Sequence, residues 1–478
     1  MRKYPKLSIS EIILTLVAII IGFRFFIVAI NQLNYKAPLN LVEGYVLQNS
    51  NNFPNWNKMY PSFKNEPSLL NAYTPVFYGI NHIIFGESQS FFGGRFLSII
   101  SLLIIFKVLI SLDRRSYLNK LTFFIIFFSS PDLIKWFTLN RVCGLAIAFS
   151  IFSIWVFEKV KHHKIFYSAL FLSLAVLTKQ NIGIPAFVYM IVGLLTEKKY
   201  SELSNLIKYL ISFIGIPFLI INLITNGSFY FNLITVNFKM DWSLLHILPF
   251  LRNFFYQNAI LLLLLVIIAY FTKKEFFKDI KLVSYVLAAL LITITAFKAG
   301  SDGNYFLEAT IGLVWLTTKS IRNVKHSDII SFLLIIVYLA ININFRETIT
   351  LSKQNFSQSE HELLNEIQRA DKILADDNSI ALLPLAGKEI IIDPFATTQM
   401  LHREQIENSI LINYINTKKA DLILISIQQP DFYQLDSDSL AIATANKYMH
   451  WSSQTYIAMW SNYRFDKRIG KFLVFKPK

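Results

Sequence analysis

The sequence contains one cysteine among 478 residues, and only 16% of its residues are charged. Because Cys143 has no second cysteine in this chain, no intrachain disulfide forms and the cysteine content indicates nothing about the redox compartment. The 8 histidines have no metal-ligand spacing, and no glycine-rich phosphate loop follows a predicted strand. These absences argue against a disulfide framework, a histidine metal centre and a soluble nucleotide-binding enzyme.

Hydrophobic residues, in contrast, make up 54% of the chain, including 43 phenylalanines. Apolar runs of about 15–22 residues recur, close to the length of a helix that crosses a bilayer. The first run is too long for a signal peptide, and no small-residue cleavage site follows it. The pattern predicts an α-helical polytopic membrane protein with about 11 transmembrane helices. The predicted spans lie near residues 9–30, 92–112, 120–131, 143–157, 164–177, 183–196, 207–226, 253–271, 282–297, 304–318 and 328–344.

The distribution of lysine and arginine predicts the orientation of these spans. The net charge of +15 suggests cytoplasmic loops rather than nucleic-acid binding in such a chain. If the N-terminus is cytoplasmic and the spans alternate, nearly every basic cluster of the membrane part falls on one side. These clusters are "MRKYPK", "KVLISLDRRSYLNK", "EKVKHHK", "EKKY", "TKKEFFKDIK" and "KSIRNVK". The opposite, extracytoplasmic side then receives isolated cations near acids and aromatics.

The composition changes after about residue 345 and predicts two domains. Residues 1–345 form the membrane domain, whose first extracytoplasmic loop, 31–91, contains an interfacial helix in "TPVFYGINHIIFG". Residues 346–478 form a small extracytoplasmic α/β domain. We expect an amphipathic helix in "SQSEHELLNEIQRADKILADD", strands in "SIALLPLAGKEIIIDPF" and "ADLILISI" with a helical stretch between them, and a last strand in "GKFLVFKPK".

Glu43, in "LNLVEGYVLQNSNN", follows closely on the first span. Its apolar neighbours Leu41 and Val42 are expected to hold it at the membrane surface. An acid in that position fits a general base or a metal ligand, but a solvated loop acid is an equally good interpretation.

Four cations lie at the predicted outer ends of spans, where the positive-inside pattern leaves few of them. Each is open to a structural interpretation, such as a lysine that snorkels to the interface. Together they favour a phosphate-binding site. The four are Arg95, Arg141, Lys179 and Lys298.

The segment "KAGSDGNYFLEA" carries polar groups at an outer helix start. Asp302 or Ser301 is expected to cap that helix, while Asn304 and Tyr305 follow directly. Capping does not explain Glu308, an acid inside a predicted span. Asp132, in "SSPDLIKW", has two interpretations, a helix cap or a second functional acid.

Several fragments, in this order, resemble the signatures of bacterial membrane glycosyltransferases of the GT-C type. These enzymes are relatives of the dolichyl-phosphate-mannose protein mannosyltransferases and of the aminoarabinose transferases of lipid A. The resemblance covers about residues 40–310. The fragments are "LNLVEGYVL", "MYPSF", "AYTPVFYGINHIIFG", "GGRFLSII", "NRVCGLAIAF", "LTKQN" and "GSDGNYFLE", and "LPLAGKEIIIDPF" resembles the extracytoplasmic tail of that branch. Two departures stand out: Cys143 replaces an expected aspartate, and "YTP" has one proline where two are usual.

The resemblance implies a GT-C fold and a function. A hexosyl or pentosyl group would pass, with inversion, from a polyprenyl phosphate to a hydroxyl of a glycan, lipid or protein at the outer face of the bacterial inner membrane. Glu43 would be the catalytic base, and Lys179, Arg141, Arg95 and Lys298 would bind the donor phosphate. No cofactor is required by the resemblance; a divalent cation, Mg²⁺ or Mn²⁺, with Glu43 as a ligand, is left open. The expected sugar- or acceptor-binding residues are Tyr73, Asp132, Gln180, Asp302, Asn304, Tyr305 and Glu308.

Two other functions compete with this one. A lipid or glycan transporter or flippase would have polar residues near the bilayer midplane and inverted repeats. Arg24 is the main charge deep in a predicted span, and no repeat is evident. A surface-polysaccharide polymerase or ligase would use outer-loop arginine and histidine, and the outer loops here are poor in histidine.

Overall fold

The computed structural model of the chain describes residues 8–62, 66, 68–113, 116–321, 327–343, 358–397, 410–426 and 451–478. Within these ranges the chain is mostly α-helical. The helices of the first part are α1 Ile9–Asn34, α2 Val42–Asn52, α3 Trp56–Met59, α4 Val76–Phe85, α5 Phe92–Leu112, α6 Tyr117–Ser129, α7 Pro131–Phe137, α8 Cys143–Lys159, α9 Lys164–Val176, α10 Ile184–Thr196, α11 Tyr200–Ile224, α12 Ser228–Tyr230, α13 Val236–Lys239, α14 Leu244–Phe277, α15 Ile280–Ile292, α16 Leu307–Ile321 and α17 Ser327–Asn342.

Each predicted span coincides with one of these helices. However, not all of these helices are long enough to cross a membrane. Among the described residues, five helical segments are long and apolar enough to cross: Ile9–Asn34, Phe92–Leu112, Tyr200–Ile224, Ile247–Thr272 and Ile280–Phe297. Helices such as α6, α9 and α10 have 13 residues each, fewer than the roughly 20 that a perpendicular crossing requires. The predicted count of about 11 transmembrane helices therefore stays a prediction.

The long helices expose large apolar side chains, as helices in contact with lipid do. Examples are Phe23 on α1, Leu223 on α11 and Phe271 on α14. Their inner faces join one apolar core that extends through the helical part of the chain. Within it, α8 packs against α5 and α9, and α10 packs against α15. These contacts place the ends of α8 and α9 close to the functional residues described below.

The loop between α1 and α5 is largely structured. It contains α2, α3 and α4, and α2 packs against α4. The predicted helix in "TPVFYGINHIIFG" is present as α4, whose Ile83 and Ile84 side chains are exposed. Exposed apolar residues on a short helix are typical of helices at a membrane interface, the location predicted for α4.

The C-terminal part contains a four-stranded sheet of order β1-β2-β4-β3, which we call the C-terminal sheet unit together with its helices. β1 pairs with β2 in parallel, and the β2–β4 and β4–β3 pairs are antiparallel. The strands are β1 Ile373–Ala375, β2 Leu422–Ser426, β3 Tyr463–Ile469 and β4 Phe472–Pro477. The described helices are Gln358–Arg369, Leu382–Leu385, Ile410–Asn416 and Ser453–Asn462, with a helical turn at 394–397.

Two of the predicted strands are confirmed and one is wrong. β2 lies in "ADLILISI", β4 lies in "GKFLVFKPK", and the expected helical stretch before β2 is present at Ile410–Asn416. The stretch "SIALLPLAGKEIIIDPF" instead forms the short helix Leu382–Leu385, and only Ile392 makes a bridge, to Ser68. Pro384 has no N–H to donate to a ladder, and these apolar residues are buried by packing rather than by strand pairing. The division at residues 345 and 346 stays a prediction.

Candidate active-site cavity

A cavity of about 610 Å³ lies where the loop between α1 and α5 meets the ends of the helices and the C-terminal sheet unit. Its wall combines a polar set of side chains with apolar ones, which is typical of small-molecule sites. We call it the central cavity. Of the residues predicted to have a function, it is lined by Tyr73, Arg141, Lys179, Gln180, Lys298, Asp302, Asn304 and Tyr305. The sequence motifs around 73, 141, 179 and 298–305, distant in the chain, thus meet in one place.

Lys179 lies in the turn between α9 and α10 and is the most enclosed cation of the cavity. Its backbone N–H donates to the carbonyl of Ala175, which continues the last turn of α9. The side chain is 2% exposed, and its ammonium lies 4.4 Å from the ring centroid of Tyr305 and 5.8 Å from that of Tyr73. No carboxylate of the described residues forms an ion pair with it. Its charge is therefore available to an anion in the cavity.

Arg141 lies in the turn before α8. Its Nη1 donates to Oδ1 of Asn40 over 2.9 Å, and its guanidinium lies 5.1 Å from the ring centroid of Trp136. The residue is 3% exposed, and its Nε has no hydrogen-bond partner among the described atoms. A buried donor without a partner is costly, and an anion in the cavity would satisfy it.

Lys298 is placed by two chain segments that pair with each other. The N–H of Ala299 donates to the carbonyl of Asp241 over 2.7 Å, and Trp242 bridges to Lys298. The Lys298 ammonium contacts Oδ1 of Asn237. Asp302, a few residues on, caps the following 3₁₀ turn, Gly303–Phe306, by accepting from the N–H of Gly303. That turn carries Asn304 and Tyr305 into the cavity, as the predicted helix cap requires.

Glu43 and Arg95 are not among the residues that line the central cavity, although Asn140, which contacts Glu43, precedes the lining residue Arg141. Glu43 is completely buried and pairs with Arg95 through two hydrogen bonds of 2.8 Å. Its oxygens also accept from the N–H of Asn140 at 2.7 Å and of Leu39 at 2.6 Å. The remaining donors of Arg95 go to backbone carbonyls, among them those of Gln32 and Ala37.

This geometry favours a structural role for the pair, and the predicted roles of Glu43 as base and of Arg95 as phosphate ligand stay predictions. The Glu43 carboxylate already accepts four hydrogen bonds, which leaves little capacity for a hydroxyl, and the Arg95 guanidinium has its donors engaged and none directed to a phosphate. Gly44 and Gly94, beside the pair, allow other chain segments to approach closely. A Cβ on Gly44 would lie 2.4 Å from Cα of Ala381, and one on Gly94 would lie 1.6 Å from Oδ1 of Asn140. The "EG" and "GGR" motifs thus join α2, α5 and the C-terminal sheet unit.

Two further predicted residues also lie outside the cavity wall. Asp132, on α7, is buried beside Asn253 and Gln257 on α14, each with its amide 3.4 Å from Oδ1. Glu308 on α16 is buried and accepts from the hydroxyl of Ser150 on α8 over 3.2 Å. Both carboxylates connect helices, and their predicted contact with sugar or acceptor stays a prediction.

Cys143 occupies the position at which the family resemblance implies an aspartate. Its Sγ lies 3.3 Å from Nζ of Lys179 and 3.0 Å from Nδ2 of Asn304. Oδ1 of Asn304, which is 4% exposed, has no hydrogen-bond partner among the described atoms. A thiol therefore takes the place of a carboxylate next to the lysine, and it leaves the positive charge uncompensated.

Sequence reasoning missed the part of the wall that comes from α2 and from the C-terminal sheet unit. Tyr45, Asp377, Asp393 and Phe395 line the central cavity. Burial is the main cause that raises the pKa of Asp393 to about 6, and burial together with the charge of Asp393 raises the pKa of Asp377 well above its usual value. These residues reach the cavity only because two segments that are distant in the sequence pack against each other. No local sequence pattern indicates this packing.

In the part of the chain that the structure describes, no three histidine, cysteine, aspartate or glutamate side chains lie close enough together to hold a metal ion. The carboxylate of Glu43, left open as a metal ligand, is occupied by the donors named above.

The sequence matches no model of a known protein family and no curated protein. The fold, however, is similar to that of ArnT from Cupriavidus metallidurans, an aminoarabinose transferase of the GT-C type. For the apo crystal structure the TM-score is 0.62 at 11% identity, with 96% of this chain and 97% of that chain covered. For the structure bound to undecaprenyl phosphate the TM-score is 0.59 at 11% identity, with 97% of each chain covered. At this identity the likeness establishes the fold, and with the apolar helices it indicates an integral membrane protein.

Proposed function

We propose that the chain is a membrane glycosyltransferase that moves a sugar from a polyprenyl phosphate to a hydroxyl acceptor. The observation that carries this proposal is the convergence of Lys179, Arg141 and Lys298 on one cavity of an ArnT-like fold. One structure with this fold holds undecaprenyl phosphate. Three cations in an enclosed site suit the phosphate of such a donor, which gains charge as the glycosidic bond breaks.

The reaction follows from the chemistry of the wall. The acceptor oxygen attacks the anomeric carbon, the bond from that carbon to the phosphate oxygen breaks, and the electron pair leaves with the lipid phosphate. Lys179 and the free Nε of Arg141 stabilise the departing charge. A single displacement inverts the anomeric centre. Tyr73, Tyr305, Gln180 and Asn304 offer ring faces and amides to the sugar.

The proposal places the central cavity at the extracytoplasmic face of a bacterial inner membrane, because the sequence predicts the basic clusters at the cytoplasmic ends of the spans. Cys143 is buried, so the natural chain has little reactivity with thiol reagents. A cysteine introduced in place of Glu389, whose side chain is 64% exposed, is expected to react with a membrane-impermeant maleimide in intact cells. Labelling only after the cells are lysed would contradict this orientation.

The experiment that tests the function uses the full chain in lipid nanodiscs. Undecaprenyl phosphate carrying radiolabelled glucose, mannose or arabinose is supplied with the envelope lipids and glycans of a bacterial host. Transfer of label to the envelope fraction with one of these donors, dependent on Lys179, supports the proposal. Movement of the intact donor across the bilayer without transfer would instead identify a flippase and overturn it. Repeating the assay with EDTA, Mg²⁺ or Mn²⁺ measures any need for a divalent cation.

A further inference from the structure

The C-terminal sheet unit closes one side of the central cavity with side chains of its own. Its docking onto α2 is specific. Nε2 of Gln48 donates to the carbonyl of Ile390 over 3.1 Å, and the N–H of Ile390 donates back to Oε1 of Gln48 over 2.6 Å. Gly44 touches Ala381 in the same interface. The docked unit therefore holds Asp377 and Asp393 at fixed positions in the cavity wall.

Asp393 has a structural task in its own loop. Oδ1 accepts from the N–H of Ala396 over 3.0 Å and so caps the helical turn at 394–397. The residue is 7% exposed, and its neighbour Asp377 is 3% exposed. A cap alone requires neither a second carboxylate beside it nor a position in the wall of a cavity. The pair is thus better explained by a ligand that fills the cavity.

Tyr45 of α2 stands next to this pair. Its buried hydroxyl faces the carboxylate of Asp393. Nε of Arg141 and Oδ1 of Asn304, on two other residues of the cavity wall, are buried polar atoms with no partner among the described residues. Buried polar groups are normally satisfied, so these two atoms indicate a ligand with both an acceptor and a donor, as a phosphate-linked sugar and a hydroxyl acceptor provide.

We propose that Asp393 receives the acceptor hydroxyl and takes its proton, with Tyr45 and Asp377 holding that hydroxyl group in place. This inference rests on the proposed glycosyl transfer. The acceptor O–H bond breaks as the new bond to the anomeric carbon forms. The proton passes to the carboxylate of Asp393, and the phosphate leaves at the cationic end of the cavity. The C-terminal sheet unit is then a part of the active site.

The cavity contains one more carboxylate that competes for this role. Asp302 also lines the wall, and its Oδ1 accepts from the N–H of Gly303 over 2.7 Å. Its charge acts directly on Arg141. Asp302 would pair with Arg141, the cation proposed to bind the leaving phosphate, and would be less available to an acceptor. The neighbours of the Asp393 carboxylate are instead another carboxylate, Asp377, and the phenol of Tyr45.

Two isosteric variants test the proposal in nanodiscs. Asparagine retains a capping oxygen, so Asp393→Asn is expected to leave the fold and the binding of undecaprenyl phosphate unchanged. Transfer should fall by about 100-fold or more, the usual contribution of a general base. Tyr45→Phe should lower transfer by about tenfold and raise the acceptor concentration required. Asp371→Asn, at a side chain that is 96% exposed on the same unit, is the matched control.

The outcomes separate this inference from the proposed function. If the natural protein shows no transfer with any donor, the proposed function fails. If it transfers sugar and Asp393→Asn retains at least half of the rate, the function stands and this inference is overturned. A 100-fold loss in Asp302→Asn with full activity in Asp393→Asn would assign the base to Asp302. A loss of undecaprenyl phosphate binding in Asp393→Asn would also contradict the assignment, because the base does not touch the phosphate.

Discussion

The ammonium of Lys179 lies 3.3 Å from the thiol sulfur of Cys143, with no carboxylate of the described residues in ion-pair distance. In this position the family resemblance implies an aspartate, which would neutralise the lysine. The thiol leaves the lysine with its full charge toward the cavity. This relationship favours the proposed phosphate site, because no acid at position 143 competes with an anion for the lysine.

Replacement of Lys179 by alanine is expected to weaken binding of the donor. A hydrogen bond to a charged group contributes about 1.5–3 kcal/mol, so the donor concentration at half-maximal rate should rise by about 10- to 100-fold. The acceptor dependence should change little. Steady-state kinetics with each substrate varied in turn measures both, and Lys58→Ala, at an exposed lysine, is the control. A change confined to the acceptor dependence would refute the phosphate role.

Introduction of a carboxylate beside Lys179 tests the role of the thiol. Cys143→Asp should form an ion pair with the ammonium and reduce the affinity for undecaprenyl phosphate by about tenfold, or ~1.4 kcal/mol. Cys143→Ser, of similar size and without charge, should bind almost as the natural chain does. Equilibrium binding of the radiolabelled lipid measures the difference. Equal affinities in both variants would show that the charge on Lys179 is not what holds the phosphate.

The buried pair of Glu43 and Arg95 is expected to matter for folding rather than for chemistry. Removing one partner of a buried ion pair costs about 3–5 kcal/mol, because the other charge is left without compensation. Glu43→Gln should therefore lower the unfolding temperature in detergent and the yield of inserted protein. Thermal unfolding monitored by tryptophan fluorescence measures this. A stable, well-inserted Glu43→Gln protein with no transfer activity would restore Glu43 as the base.

The sequence predicted part of the fold and part of the candidate site. The long apolar runs predicted the positions of the helices because burial in lipid leaves a strong pattern in the residues themselves. The motifs at Arg141, Lys179 and 298–305 converged as expected. The sequence could not show that Glu43 and Arg95, two charges near span ends, satisfy each other. It also gave no sign of Asp393, because the position of Asp393 depends on contacts such as that of Gln48 on α2 with Ile390, which lies 342 positions further along the chain.

The pH dependence of transfer tests Asp393. Asp377, Tyr45 and the amides of Phe395 and Ala396 face its carboxylate, and burial raises its pKa to about 6. A base must be ionised, so the rate should rise as the pH increases through about 6 and then level off.

Stability should change in the opposite direction. The pKa of Asp393 in the folded state lies above the ordinary value of 3.8. The contribution of Asp393 to the free energy of unfolding is therefore fully present below pH 3.8 and is lost as the pH rises through about 6.

The variant Asp393→Asn should remove both effects. Its residual rate should not depend on pH between about 5 and 7, and its unfolding temperature should fall less than that of the natural chain over the rise from about pH 4 to 6. Rate profiles and unfolding scans in the same buffers provide the comparison. An unchanged rate profile in the variant would assign the titration to another group.

The central claim is that Lys179 and Arg141 bind the phosphate of a polyprenyl donor in the central cavity, and a structure of the full chain with undecaprenyl phosphate tests it most directly. We predict phosphate density in hydrogen-bond distance, about 3 Å, of Nζ of Lys179 and of the Arg141 guanidinium. Lipid density elsewhere on the protein, with the cavity free of phosphate under saturating lipid, would contradict the account.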